Sequence, residues 1–196
     1  MITFNLIIGV MVMFAAFSML PVRERSTGVR TLQKCSGASL WLTWLAEYVW
    51  DFLNVLPSFA IILIIFAASQ SVDGVKVFVD NADLITVLFL MFTLAQLPFT
   101  YCLSFSFSQP SSAISYTSLF NIICAMATFL AVLILRVLPQ TQDVGKMLNN
   151  VFLIFPQFCF AMGLFDLYYN ANIVEQCTKN SFTEIACKTE DLVYQT

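Results

Sequence analysis

The sequence has no histidine, and only 11% of its 196 residues are charged. Without histidine it lacks the side chain that most often serves as general base and metal ligand near neutral pH. A net charge of −3 leaves no basic excess for binding nucleic acid. The six cysteines form no Cys-x-x-Cys pair, so zinc would lack its usual ligand spacing, and no metal ligands are assigned. Gly145-Lys146 lacks the upstream glycine and the following Ser/Thr of a phosphate-binding loop. Neither Gly-x-Ser-x-Gly nor His-Glu-x-x-His occurs. These absences point away from catalysis and from a cofactor held by this chain.

What is present is grease. Hydrophobic residues make up 59% of the chain and the mean hydropathy is +0.83. Soluble domains hold about 45–50% apolar and about 25% charged residues, so this apolar surface must face lipid. A chain in lipid satisfies its own backbone, which leaves helices or closed barrels. Barrel strands alternate apolar and polar residues over about 10 positions. The runs from Phe59 to Ala68 and from Leu84 to Leu97 are continuous instead. The fold class is therefore an all-α, multi-pass membrane protein.

Four spans are expected, at about 2–20, 52–68, 84–107 and 115–135, each near the roughly 20 residues needed to cross. No basic residue precedes the first run, which argues against a signal peptide. Arg23, Arg25, Arg30 and Lys34 follow it against the single acid Glu24, which places the 21–39 loop in the cytoplasm. Met1 then lies outside, and a further upstream segment is expected. Glu47, Asp51, Asn54 and Ser58 share one helical face. With Trp41, Trp44, Tyr48 and Trp50 beside them, residues 41–51 are expected to lie at the inner interface, where Glu47 and Asp51 reach water or a loop arginine, or else meet a partner domain. The stretch from Leu84 to Leu135 carries no charge, and Ser108 to Ser112 with Pro110 breaks it by a turn.

The last apolar run, 151–167, is short and holds Pro156 and Gly163. Runs of about 10–14 apolar residues are often re-entrant. If it dips and returns, the polar 170–196 tail is extracytoplasmic; if it crosses, the tail is cytoplasmic. The lack of basic residues favours the dip. Cys177 and Cys187 share that tail. Outside, a disulfide between them would add roughly 2–3 kcal/mol of local order; inside, they would be free thiols.

Several short motifs keep one order along the chain. Glu24-Arg25 is followed by a basic stretch, Leu32-Gln33 and Ser36-Gly37. Trp44-Leu45-Ala46-Glu47 and Trp50-Asp51-Phe52 come next, then Leu97-Pro98-Phe99-Thr100-Tyr101, Pro110-Ser111-Ser112-Ala113 and Ala127-Thr128-Phe129. Last are the run from Val151 to Cys159 and Gly163-Leu164-Phe165-Asp166. The series resembles the second membrane half of A-subfamily ABC transporters, with departures at Thr31, Gln157 and Ala161-Met162. The resemblance implies an incomplete ABC-2 type transmembrane domain over residues 1–169: four spans plus a re-entrant helical hairpin. It implies that a coupling loop holding Arg23, Glu24, Arg25, Arg30, Gln33 and Lys34 presses on a nucleotide-binding domain outside this chain, where ATP and Mg would act. It implies an interfacial helix with Glu47, Trp50 and Asp51, and as partners the other transmembrane half and membrane lipids as cargo. The rival readings are a structural multi-pass protein, and a channel or ion-coupled carrier, which would need a polar pore lining that the sequence does not display.

Overall fold

A computed structural model of the chain describes the backbone of residues 2–69, 75–137 and 142–179, and the side chains of 3–69, 75, 77–135 and 144–171. Every element among them is helical. The first run forms α1 (Ile2–Ala16). At Phe17 and Ser18 the backbone tightens to i→i−3 bonds, and Ser18 Oγ donates to Ala15 O at 2.7 Å. The expected loop then proves helical: α2 (Met19–Ser26) and α3 (Val29–Cys35) meet at Gly28, whose φ of 75° suits glycine. Pro21 falls in the first turn of α2, where its missing N–H has no bond to make.

The second run is one unbroken helix, α4 (Leu40–Ala68). Its 29 residues rise about 43 Å, more than the hydrocarbon thickness of about 30 Å. The expected interfacial stretch and span are therefore a single rod whose ends reach the headgroup layers. A short α5 (Lys76–Asp80) leads to α6 (Ala82–Ser104). Next come α7 (Pro110–Val137), α8 (Gln142–Phe152) and α9 (Pro156–Lys179). The turn between α6 and α7 is complete by residue 109, because Pro110 starts a helix at the one turn that needs no N–H from it. The span therefore begins five residues earlier than the serine cluster suggested. Four rods, 3–26, 40–68, 82–104 and 110–135, are long and apolar enough to cross a membrane.

The short run lies in a helical hairpin. Helices α8 and α9 both pack along α7 and form a hairpin with its tip at 153–155. At the start of α9, Gln157 bonds Asn121 near the middle of α7. Further along, Phe165 meets Phe129, and Tyr168 meets Phe78 of α5 at the far end. From Gln157 to Tyr168 the helix climbs about 17 Å, roughly half the membrane core. The descending limb begins at Gln142, so the expected segment 151–167 caught only the tip and the returning limb. Helix α9 also runs to Lys179, past the expected domain boundary at 169–170. The Cys177–Cys187 pairing and most of the 170–196 tail lie outside the described residues.

Helix association in lipid rests on packing, because lipid tails are as apolar as leucine. Here phenylalanines provide that packing. Phe59 of α4 stacks on Phe89 of α6 at 4.2 Å, and Phe92 stacks on Phe160 of α9 at 4.4 Å. Phe14 of α1 meets Phe92 edge-on at 5.0 Å. Such pairs contribute about 0.5–1.5 kcal/mol each beyond burial. Helix α9 comes close to α6 at Gly163: a Cβ there would lie 2.9 Å from Leu88 Cδ1 and 3.2 Å from Cδ2. Gly163→Ala meets only the flexible end of Leu88 and should unfold near the wild-type temperature in detergent. Gly163→Leu should overpack the joint by about 1–3 kcal/mol and lower Tm by about 2 °C or more. An unchanged Tm for the leucine variant would contradict the close approach.

Candidate functional site

The four C-terminal carbonyls of a helix need partners outside it. At α6 one basic side chain supplies one such bond and a second to the turn just beyond. Arg25 Nη2, from α2, donates to Ser104 O at 2.7 Å and to Phe107 O at 2.6 Å. Its guanidinium also lies 5.2 Å from the Phe105 ring centroid. A cation here meets the negative end of the α6 dipole. The turn between two spans is thus pinned to the basic segment.

Arg30, from α3, makes the second link. Its Nη2 donates to Glu47 Oε2 of α4 at 2.6 Å, and its Nε lies 3.4 Å from Glu24 Oε2, an ionic contact without hydrogen-bond geometry. The guanidinium sits 3.7 Å over the Trp44 ring. Trp44 in turn packs on Tyr101 and Phe105, with centroids 5.6 Å and 5.7 Å away. Tyr101 Oη donates to Asp51 Oδ2 at 2.5 Å. Two carboxylates thus share one arginine, and a third is capped by a phenol. Nearby, Pro98 offers no N–H to Leu94 O, and Tyr48 Oη of α4 donates there instead, at 3.3 Å.

Of the residues singled out from the sequence, Glu24, Arg25, Arg30, Glu47 and Asp51 come together at this end. Glu47 reaches a loop arginine. Asp51 does not reach water: it is 5% exposed and faces α6. Arg23 and Lys34 are exposed, Gln33 is half-buried, and Trp50 is 63% exposed. Trp44 and Tyr101 hold the cluster together, yet neither stood out for a role, because each looks like any aromatic at an interface.

A second polar cluster lies deeper. Gln157 Nε2 of α9 and Gln96 Nε2 of α6 both donate to Asn121 Oδ1 of α7, at 3.0 Å and 3.3 Å. Asn121 Nδ2 donates to Met11 O of α1 at 3.5 Å. This amide knot ties four helices at the hairpin tip. Three amides inside otherwise apolar runs were the available signal. Beside the tip an apolar cavity of about 430 Å³ opens between α6 and the hairpin, lined in part by Met91, Ala95, Phe99, Leu153 and Ile154.

The ABC-2 family transporter proteins match this chain over residues 1–187. The chain is 31% identical over 99% of its length to "Phospholipid-transporting ATPase ABCA3" of Rattus norvegicus. It is 34% identical over 80% of its length to "ATP-binding cassette sub-family A member 7" of the same species. To "Phospholipid-transporting ATPase ABCA7" of Homo sapiens it is 33% identical over 80%. It spans only 11%, 7% and 7% of those proteins, respectively.

The shared arginine yields a direct check. Breaking a buried pair by removing one partner costs about 3–5 kcal/mol. With side chains here 16% and 10% exposed, Arg30→Met should cost about 2–3 kcal/mol. Adding Glu47→Gln should recover more than half of that loss in a double-mutant cycle on denaturant unfolding. Strictly additive losses would show that the pair carries no coupling.

Proposed function

The chain belongs to the ABC-2 family of transporter proteins, a multi-pass membrane family, and from that premise we propose that it is the membrane-spanning part of an ATP-driven lipid transporter. The end carrying Arg23, Arg25, Arg30 and Lys34 faces the cytoplasm, by the bias of basic residues toward that side. The hairpin then enters from the opposite face, which puts the 170–196 tail outside. The phospholipid-transporting relatives support a lipid cargo. So does the side-opening apolar cavity, which suits an acyl chain better than an ion.

ATP and Mg act on a nucleotide-binding domain outside this chain, and a second transmembrane half completes the path. The segment holding Arg23, Glu24, Arg25, Arg30, Gln33 and Lys34 receives the stroke of that domain. One observation carries this proposal: Arg25 and Arg30 fasten that segment to the α6–α7 turn and to α4. A push on α2–α3 therefore displaces three spanning rods together. A segment that merely set orientation by its charge would need no such bonds.

In the full-length transporter, Arg25→Ala removes both bonds to the turn and unpins it. Lipid-stimulated ATP hydrolysis should fall about fivefold or more while basal hydrolysis and membrane expression stay near wild type. Full lipid stimulation in the variant would remove Arg25 from the coupling route.

A further inference from the structure

The amide knot has unfinished hydrogen bonding. Gln96 Oε1, Gln157 Oε1 and the Thr117 hydroxyl are buried and have no hydrogen-bond partner among the described residues. All three side chains belong to residues that are 0% exposed. Both glutamines converge on one atom: each bonds Asn121 Oδ1 through its amide nitrogen, at 3.3 Å from Gln96 and 3.0 Å from Gln157, and each free oxygen is one amide width from that bonded nitrogen. Thr117 precedes Asn121 by one helical turn and shares its face.

The deficit has a definite chemistry. Two carbonyl oxygens lack donors, and one hydroxyl has a proton to give. Inside a membrane no bulk solvent meets these needs, and each orphan costs about 1–3 kcal/mol. A water molecule offers two donors and accepts a third bond, and buried waters make about three bonds to polar groups that would otherwise be unsatisfied. We propose that the Gln96–Asn121–Gln157 knot, with Thr117, is an internal water-binding site between α6, α7 and α9, at the tip of the helical hairpin. The water donates to Gln96 Oε1 and Gln157 Oε1 and accepts from Thr117. The site follows from the membrane setting and does not rest on the cargo or on ATP coupling. It makes the hairpin joint a hydrated contact rather than a dry, packed one.

Met11 reports on the site, since its carbonyl accepts from Asn121 Nδ2 and its side chain is 0% exposed. The protein in phosphatidylcholine nanodiscs is given brief X-ray pulses in heavy-oxygen water, and the oxygen added at each methionine is read by mass spectrometry. Radicals born from a resident water oxidise Met11, whereas dry packing leaves it untouched. Met11 should take up label, alongside free methionine added to the buffer, which serves as the positive control. Thr117→Val, which keeps the shape and removes one of the water's bonds, should lower Met11 labelling about fivefold. Gln96→Leu with Gln157→Leu should abolish it. An unlabelled Met11 beside labelled free methionine overturns the site. Equal labelling of Met11 in wild type and Thr117→Val also overturns it, because water would then reach Met11 by general leakage.

Discussion

A bilayer interior supplies no hydrogen bonds, and each unusual feature of this chain answers that constraint. Regular backbone closes on itself in helices. The exceptions occur where a helix ends, where proline removes a donor and where an amide is buried. At three such places a side chain from another helix steps in. Arg25 meets one carbonyl at the end of α6 and one in the turn after it, Tyr48 meets Leu94 O before Pro98, and Asn121 gathers Gln96, Gln157 and Met11 O. These polar contacts join different helices, several of them far apart in sequence.

Apolar packing and polar clamping divide the work. Phenylalanine stacking between α1, α4, α6 and α9 holds the middle of the bundle and tolerates some sliding. The Arg25 and Arg30 bonds at one end are directional and do not. A rod bundle built this way can be driven from its clamped end while its greasy centre repacks. That arrangement is the physical core of the proposed transport function: force enters through α2 and α3, and the cavity beside the hairpin tip lies along the rods they move.

Much of the fold was legible because charge and hydropathy are so sharply segregated. The uncharged stretch from Leu84 to Leu135 could only be two rods, and Pro110 marked their division. The break in the last run was marked by Pro156, which begins α9. What escaped was long-range pairing. Nothing in the basic residues themselves says that Arg25 bonds backbone carbonyls some 80 positions on, since carbonyls carry no sequence signature. The helicity of 19–35 was hidden behind Pro21 and Gly28, which read as loop residues until their places at a first turn and at a left-handed joint are known. Asp51 looked interfacial because its partner Tyr101 lies two helices away. The amide knot stayed invisible because Gln96, Asn121 and Gln157 are each unremarkable in isolation.

The central claim is that the basic segment and the α6–α7 turn move as one body. Spin labels on Cys35 and on a Ser108→Cys substitution, with the other cysteines replaced, give their separation by pulsed electron resonance in the full-length transporter. The account requires the same distance in the nucleotide-free, ATP-bound and ADP-bound states, with spread appearing only when Arg25 is changed to alanine. A distance that shifts between nucleotide states while Arg25 is intact would contradict it.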